Sequence, residues 1–168
     1  MKKLLLICLL ASAPAFAFDF KGIEVGNKYD LASLSNKHGL ACDRMFTGEA
    51  YYCKGNTTIV GADAKIFISL NLDFYIDSIT VNFDPSNFEV VKTAMLDKFK
   101  KPTTNKNGTV QNGMGATFQQ NILEWNNETG LMTLYKYYEK VSESTLFIIS
   151  KEVLDKSKQK LNKDKNDI

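Results

Sequence analysis

Two adjoining stretches of this chain alternate apolar and polar residues with a period of two, and that pattern constrains the fold more than any other feature. From Ala64 to Leu72, the residues Ile66, Ile68, Leu70 and Leu72 fall on one side and Lys65, Ser69 and Asn71 on the other; from Tyr75 to Phe83, Ile79, Val81 and Phe83 repeat the alternation. Successive side chains of an extended strand point to opposite faces, so each stretch predicts a half-buried strand. Leu72-Asp73-Phe74 between them predicts the turn of an antiparallel pair. The apolar face of such a sheet needs a cover. Asp30 to Gly39 predicts a short helix with Asp30 as N-cap, Gly39 as the left-handed residue after its end, and Leu31 and Leu34 inward. Ser86-Asn87-Phe88-Glu89 has the form of a capping box, in which a serine hydroxyl and a glutamate carboxylate each satisfy a free backbone N–H. The helix it opens carries Phe88, Val91, Met95, Leu96 and Phe99 at helical spacing and stops before Pro102, which cannot continue it.

Further along, Thr103 to Gly115 is rich in Asn, Gly and Thr and predicts a long connection or irregular hairpin. Strands are expected over Thr117 to Trp125, Leu131 to Tyr138 and Ser144 to Ser150, with turns at residues 126–130 and 139–143. Two units follow, residues 30–83 and 86–150, each a helix and then about three antiparallel strands. The expected fold is α+β: two tandem helix-then-antiparallel-meander units forming one globular domain over residues 18–150, with the helices on one face of the sheet. The other face is left free, and function is expected there. Residues 151–168 predict a short C-terminal helix and a charged tail, whose interleaved lysines and acids favour a solvated segment over a nucleic-acid or membrane anchor.

The first 17 residues predict export. Lys2-Lys3, the apolar run Leu4 to Ala11 and Ala15-Phe16-Ala17 correspond to the basic region, apolar region and cleavage site of a signal peptide, and the apolar stretch is too short to span a bilayer. Cleavage after Ala17 changes two counts. Lys2 and Lys3 leave, so 21 basic residues become 19 against 19 acidic ones, and the formal charge falls from +2 to zero. Neither value supplies the field that grips a phosphate backbone, so nucleic acid is not an expected partner. Cys8 leaves as well, and Cys42 and Cys53 remain as a pair. In an oxidising compartment they favour a disulfide, closing a loop of about 12 residues and stabilising by about 3 kcal/mol. A thiol catalyst or a metal site is the competing reading, but redox sites usually use C-x-x-C, and two cysteines with the single His38 are too few for zinc.

A small exported chain built as helix-then-meander units resembles the β-lactamase-inhibitor-protein-like group, which includes the small outer-membrane-assembly lipoproteins of the SmpA/OmlA type. The residues that carry the resemblance are Ile23-Glu24-Val25-Gly26 ahead of the Asp30 helix, and Phe88 to Pro102 ahead of the second meander. In that group a similar helix often ends in Gly-x-Pro; here Lys100-Lys101-Pro102 keeps only the proline, and the lipid-attachment cysteine is absent. The resemblance implies binding of a protein partner through a concave sheet surface, and carries over no site residues.

Catalysis needs convergent groups with tuned proton affinities, and the sequence offers few. His38 falls in the last turn of a helix, where a cation meets the negative helix end favourably and no nucleophile motif accompanies it. Gly113-Met114-Gly115 lacks the third glycine of a dinucleotide loop and the Gly-Lys-Ser/Thr of a phosphate loop. Glu139 and Glu143 are spaced like many solvated loop carboxylates. No catalytic residue, metal ligand or cofactor is therefore expected. Three Asn-x-Thr sequences, at Asn56, Asn107 and Asn127, fit the glycosylation pattern but are expected to go unused in a bacterial chain. Recognition residues are better represented: Tyr51, Tyr52, Trp125, Tyr135, Tyr137 and Tyr138 are candidates, because tyrosine and tryptophan supply rigid amphipathic contact area. If the last strand alternates to its end, Tyr135 and Tyr137 share one face and Leu134 and Tyr138 the other. The expected protein is a non-enzymatic periplasmic or secreted binding module for another envelope or extracellular protein, an inhibitor or an envelope-associated factor. The alternatives are a small periplasmic hydrolase using carboxylates or His38, and a structural envelope component.

Overall fold

The computed structural model describes residues 17–166, so the expected export signal lies outside the described residues up to Phe16. A short hairpin of β1 (Asp19–Phe20) and β2 (Ile23–Glu24) leads into α1 (Leu31–His38). Four strands follow: β3 (Ala41–Arg44), β4 (Tyr51–Ile59), β5 (Ala62–Leu70) and β6 (Ile76–Phe83). Then come α2 (Phe88–Phe99), the strands β7 (Thr104–Gln111), β8 (Thr117–Asn126), β9 (Gly130–Tyr135) and β10 (Ser144–Ser150), and α3 (Lys151–Asn166). Strands β3 to β10 make one eight-stranded sheet in the order β3-β4-β5-β6-β10-β9-β8-β7. Every neighbouring pair in it is antiparallel. The protein is α+β.

The alternation over residues 64–83 places the core. Ala64, Ile66 and Ile68 pair with Phe83, Val81 and Ile79, and all are buried on one face. That face continues through Leu146 and Ile148 of β10, Met132 and Leu134 of β9, and Leu123 and Trp125 of β8. Leu34 of α1 and Phe88, Val91 and Met95 of α2 join the same buried cluster, as do Phe18, Phe20, Ile23 and Val25 from the N-terminal hairpin. Each such side chain contributes about 1.5–3 kcal/mol of transfer free energy. Leu31 is only half-buried but packs on the cluster. Helix α1 has the expected caps: Asp30 Oδ2 accepts from the Ser33 N–H at 3.2 Å, and Gly39 is left-handed at φ 67°. At the start of β9, a Cβ on Gly130 would sit 2.1 Å from the Ile149 carbonyl oxygen, so only glycine lets β9 approach β10 there.

Several expectations need correction. The first strand ends at Leu70, because Asn71 begins the turn: its Oδ1 accepts from the Asp73 and Tyr75 N–H groups, and Leu72 is left exposed. The capping box is not used. Asp84 Oδ1 accepts from Ser86 N–H at 2.8 Å and starts a short 3₁₀ turn over Pro85–Asn87, so Ser86 is already inside the turn and Glu89 pairs with Lys92 instead. Of the long connection or irregular hairpin expected over residues 103–115, the hairpin is formed, and it is regular: strand β7 pairs residue for residue with β8. Its regularity escaped notice because β7 lies at the edge of the sheet, exposed on both faces, where nothing selects for alternation. Each run of strands therefore holds four rather than about three. Strand β9 ends at Tyr135 rather than Tyr138, and the terminal helix is 16 residues long, with Lys151–Asp155 and Glu152–Lys156 pairs along it.

Lys100 adopts φ 60° and ψ −148°, in the region that favours glycine, at the place where the Gly-x-Pro pattern has its glycine. Its carbonyl oxygen accepts from Trp125 Nε1 at 3.1 Å, which fixes the corner between α2 and β7.

Candidate functional site

The sheet face turned away from α1 and α2 is where the candidate residues gather. The strand registers define it row by row. One row crosses the sheet as Phe67, Thr80, Phe147, Thr133 and Glu124, and the next as Tyr52, Ser69, Ser78, Ile149 and Leu131. A third runs through Lys65, Asn82, Thr145, Tyr135 and Ile122. These rows combine aromatic and aliphatic side chains with short hydroxyl residues. The pairing alone explains why: antiparallel partners share a face, and cross-strand aromatic and β-branched pairs stabilise one another by roughly 0.2–1 kcal/mol.

The rings on this face are held in place. Tyr52 stacks on Phe67 with centroids 5.9 Å apart, and Tyr135 packs against Tyr138 at 5.0 Å. Tyr137 lies edge-on to Phe118 at 5.8 Å, while Gln120 brackets its backbone, donating from Nε2 to the Tyr137 carbonyl and accepting at Oε1 from its N–H. Beside them, Thr145 Oγ1 donates to Asn82 Oδ1 and Asn82 Nδ2 donates to Glu143 Oε1, each at 3.0 Å. Thr133 and Thr145 are fully shielded although neither points into the main core. Burial pushes the Tyr52 and Tyr135 hydroxyls up from the ordinary phenol range; for Tyr135 a hydrogen bond with Thr133 opposes this, while Tyr138 and Glu124 add to it. Both hydroxyls thus stay protonated at neutral pH and able to donate.

Of the six candidate aromatics, Tyr52, Tyr135, Tyr137 and Tyr138 border this face. Tyr51 and Trp125 do not. Tyr51 falls on the core side and stacks on Phe74 at 4.9 Å, and Trp125 is 4% exposed in the core. The assignment of Tyr138 to the Leu134 face fails because the strand has already ended, and the turn brings its ring back onto Tyr135. Sequence reasoning missed Phe67, Phe147, Ile149 and Leu131. The signal was present in Leu146-Phe147-Ile148-Ile149, an unbroken apolar run, which in a strand means apolar residues on both faces.

Helix α3 lies against the sheet at β9 and β10. Its Val153 and Leu154 are half-buried, and it is exposed from Lys156 to Asp164. A separate cavity of about 570 Å³ lies where α2 ends, walled by Phe18, Phe99 and Trp125 with Lys98, Lys100 and Lys101 around it. Cys42 and Cys53 form a disulfide across β3 and β4 on the core side. His38 ends α1, and Gly113-Met114-Gly115 forms the turn between β7 and β8, with Asn112 Oδ1 accepting from the Met114 and Ala116 N–H groups. Among the described residues no three His, Cys, Asp or Glu side chains come together as a metal site, and no helix is long and apolar enough to cross a membrane. No family model, curated protein or solved structure matches this chain.

Proposed function

We propose that this chain is an exported, non-enzymatic binding module that holds another protein of the bacterial envelope or exterior on the face carrying Tyr52, Phe67, Phe147, Tyr135 and Tyr138. The observation that supports this most is a broad sheet face whose aromatic rings are fixed by one another and over which neither α1 nor α2 lies. Recognition surfaces gain from such rings because little side-chain freedom is left to lose on binding. In the same reading the chain is a pair of helix-then-meander units, α1 with β3–β6 and α2 with β7–β10, which join where β6 pairs with β10. The Cys42–Cys53 disulfide is compatible with an oxidising compartment.

The test is affinity purification of the tagged protein from its own envelope and culture fractions, with three variants in parallel. Wild type and Tyr51→Ser, altered on the core side, should retain the same partner. Tyr135→Ser with Tyr138→Ser, and Phe147→Lys, should lose it while keeping the circular dichroism of the fold. No partner from wild type, or one that all variants retain, refutes the proposal.

A further inference from the structure

We infer that β7 is an open strand edge through which two copies of this chain pair, antiparallel and about a two-fold axis at Gly108. The terminal strands of the sheet differ sharply. At one end, β3 is four residues long and covalently tied to β4 by the disulfide. At the other, β7 runs for eight residues in unbroken register with β8 and, among the described residues, has no other strand beside it. Edge strands usually carry devices that prevent further pairing: proline, a bulge, short length or unbalanced charge. Thr104–Gln111 contains no proline and no register shift, and its single charge, Lys106, already faces Glu124 at 3.7 Å.

The backbone shows which groups are available. Asn112 N–H donates to the Ala116 carbonyl across the β7–β8 turn, and Lys136 N–H donates to the Asn121 carbonyl on the far side of β8. Hydrogen-bonded and non-hydrogen-bonded pairs alternate in an antiparallel ladder. The even-numbered residues of β7 therefore direct N–H and C=O toward β8, and Asn105, Asn107, Thr109 and Gln111 direct theirs outward. Unpaired rows of this kind are a template for another strand.

A second copy fits this edge better than an unrelated strand because the sequence is self-complementary about Gly108. With the axis there, Asn107 faces Thr109 of the partner subunit and Asn105 faces the partner's Gln111, so every outward residue meets another outward residue. Lys106 then lies opposite the partner's Val110 and not opposite its own copy, which avoids a like-charge pair. At the axis, where two side chains would meet most closely, the residue is glycine, and a Cβ built there touches nothing within 4 Å in the single chain. Pairing β7 with β3 of another copy would match eight residues against four, so the two-fold arrangement is favoured over an open chain. This inference does not rest on the proposed binding face, although the dimer would carry two such faces on one continuous sheet.

Sedimentation and light scattering of the purified exported chain over a range of concentrations, joined to amide exchange by NMR, test it. The expected result is a species of twice the chain mass, in which the amides of Asn105, Asn107, Thr109 and Gln111 are protected together with those of Lys106, Gly108 and Val110. Thr109→Pro removes one outward donor and leaves the β8 ladder intact; it should halve the mass. Gly108→Lys, which has room for its side chain, should do the same by setting charge against charge at the axis, and it decides the matter if the proline variant fails to fold. A monomer at every concentration, exchange protection confined to the even-numbered residues, or a dimer that persists in a folded Gly108→Lys variant overturns the inference. Protection of the odd-numbered amides only in a complex with another protein also overturns it, in favour of a foreign strand at this edge.

Discussion

Removing the Cys42–Cys53 bridge should destabilise the protein by about 2 kcal/mol, and the structure indicates where the loss falls. The two cysteines lie directly opposite each other in β3 and β4, 11 residues apart in sequence. In the chain-entropy model a closed loop of about 12 residues lowers the entropy of the unfolded chain by about 9.5 cal/mol/K, or about 2.8 kcal/mol at 25 °C. That figure is a ceiling. Strand β3 has four residues, three of them exposed, and among the described residues β4 is its one strand neighbour, so the native state without the bridge regains freedom by fraying there. Fraying offsets part of the gain in the unfolded state. The perturbation is Cys42→Ala with Cys53→Ala, since serine would leave a hydroxyl unpaired at Cys53, which is fully buried. Reduced wild type serves beside it, because it keeps both sulfurs and separates loss of the bridge from loss of volume. Urea unfolding followed by Trp125 emission should show the midpoint falling by about 1 M, for a slope of roughly 2 kcal/mol/M. Amide exchange should show protection lost over residues 41–44 and kept in β5, β6 and β10. A loss below about 0.5 kcal/mol with β3 still protected would show that the ladder alone holds the strand and refute the reasoning.

Three further outcomes follow from individual residues. Trp125→Phe leaves the Lys100 carbonyl without its donor and should cost about 1–3 kcal/mol, measured by urea unfolding followed by circular dichroism; an unchanged midpoint would mean that the corner does not need this bond. Lys100→Gly should raise stability by about 1 kcal/mol, a thermal shift of roughly 2–4 °C, because glycine holds φ 60° and ψ −148° without strain; a lower melting temperature contradicts this. Asp77 has its carboxyl held above the ordinary range by burial, then by repulsion from Glu152, with Lys156 acting the other way. A carboxylate raised on folding favours the native state most below its unfolded pKa, and that contribution is lost as pH rises through the folded value. Wild type should therefore lose stability relative to Asp77→Asn as pH climbs from the usual carboxylate range upward. A difference between the two that is flat with pH would remove the argument.

The elements legible in the sequence were those whose side chains must choose a face or a cap. Ile66, Ile68, Val81 and Phe83 alternate because one side of β5 and β6 is buried, and Asp30 and Gly39 mark the ends of α1 because those positions need an acceptor and a left-handed backbone. The regularity of strand β7 was illegible for the converse reason. With both faces in solvent, Thr104–Gln111 carries no periodicity, and its Asn, Gly and Thr read as a long connection or irregular hairpin. The candidate face was half legible. Tyrosines draw attention in any sequence, and four of the five chosen do border it; Phe67 and Phe147 resemble core residues, and only the position of the helices separates the two faces. Trp125 misleads in the opposite sense, since its one polar atom is satisfied by a backbone carbonyl inside the fold and leaves nothing to offer a partner.

Strand β10 carries apolar side chains on both of its faces. Leu146 and Ile148 are buried against the core, while Phe147 and Ile149, one residue away and equally apolar, lie on the opposite face beside Thr80, Thr133, Ser78 and Leu131. A strand at the centre of a sheet open on one side normally alternates apolar with polar, because rings on the open face gain little for folding. Here the open face has rings at Phe67, Phe147 and Tyr135, each with a short or hydroxyl-bearing residue beside it, Thr80 and Thr133 flanking Phe147 and Thr145 next to Tyr135. Thr133 and Thr145 are fully shielded, so this part of the face is closely packed. Close packing of this kind gives a partner a fixed shape to meet. On that reasoning Phe147→Thr, which continues the threonine row across β6, β10 and β9, should leave the fold close to wild-type stability. Ile148→Ala, one residue along, should cost about 2–5 kcal/mol by opening a cavity in the core. Equal losses at the two positions in thermal unfolding would mean that Phe147 serves the fold and not a partner.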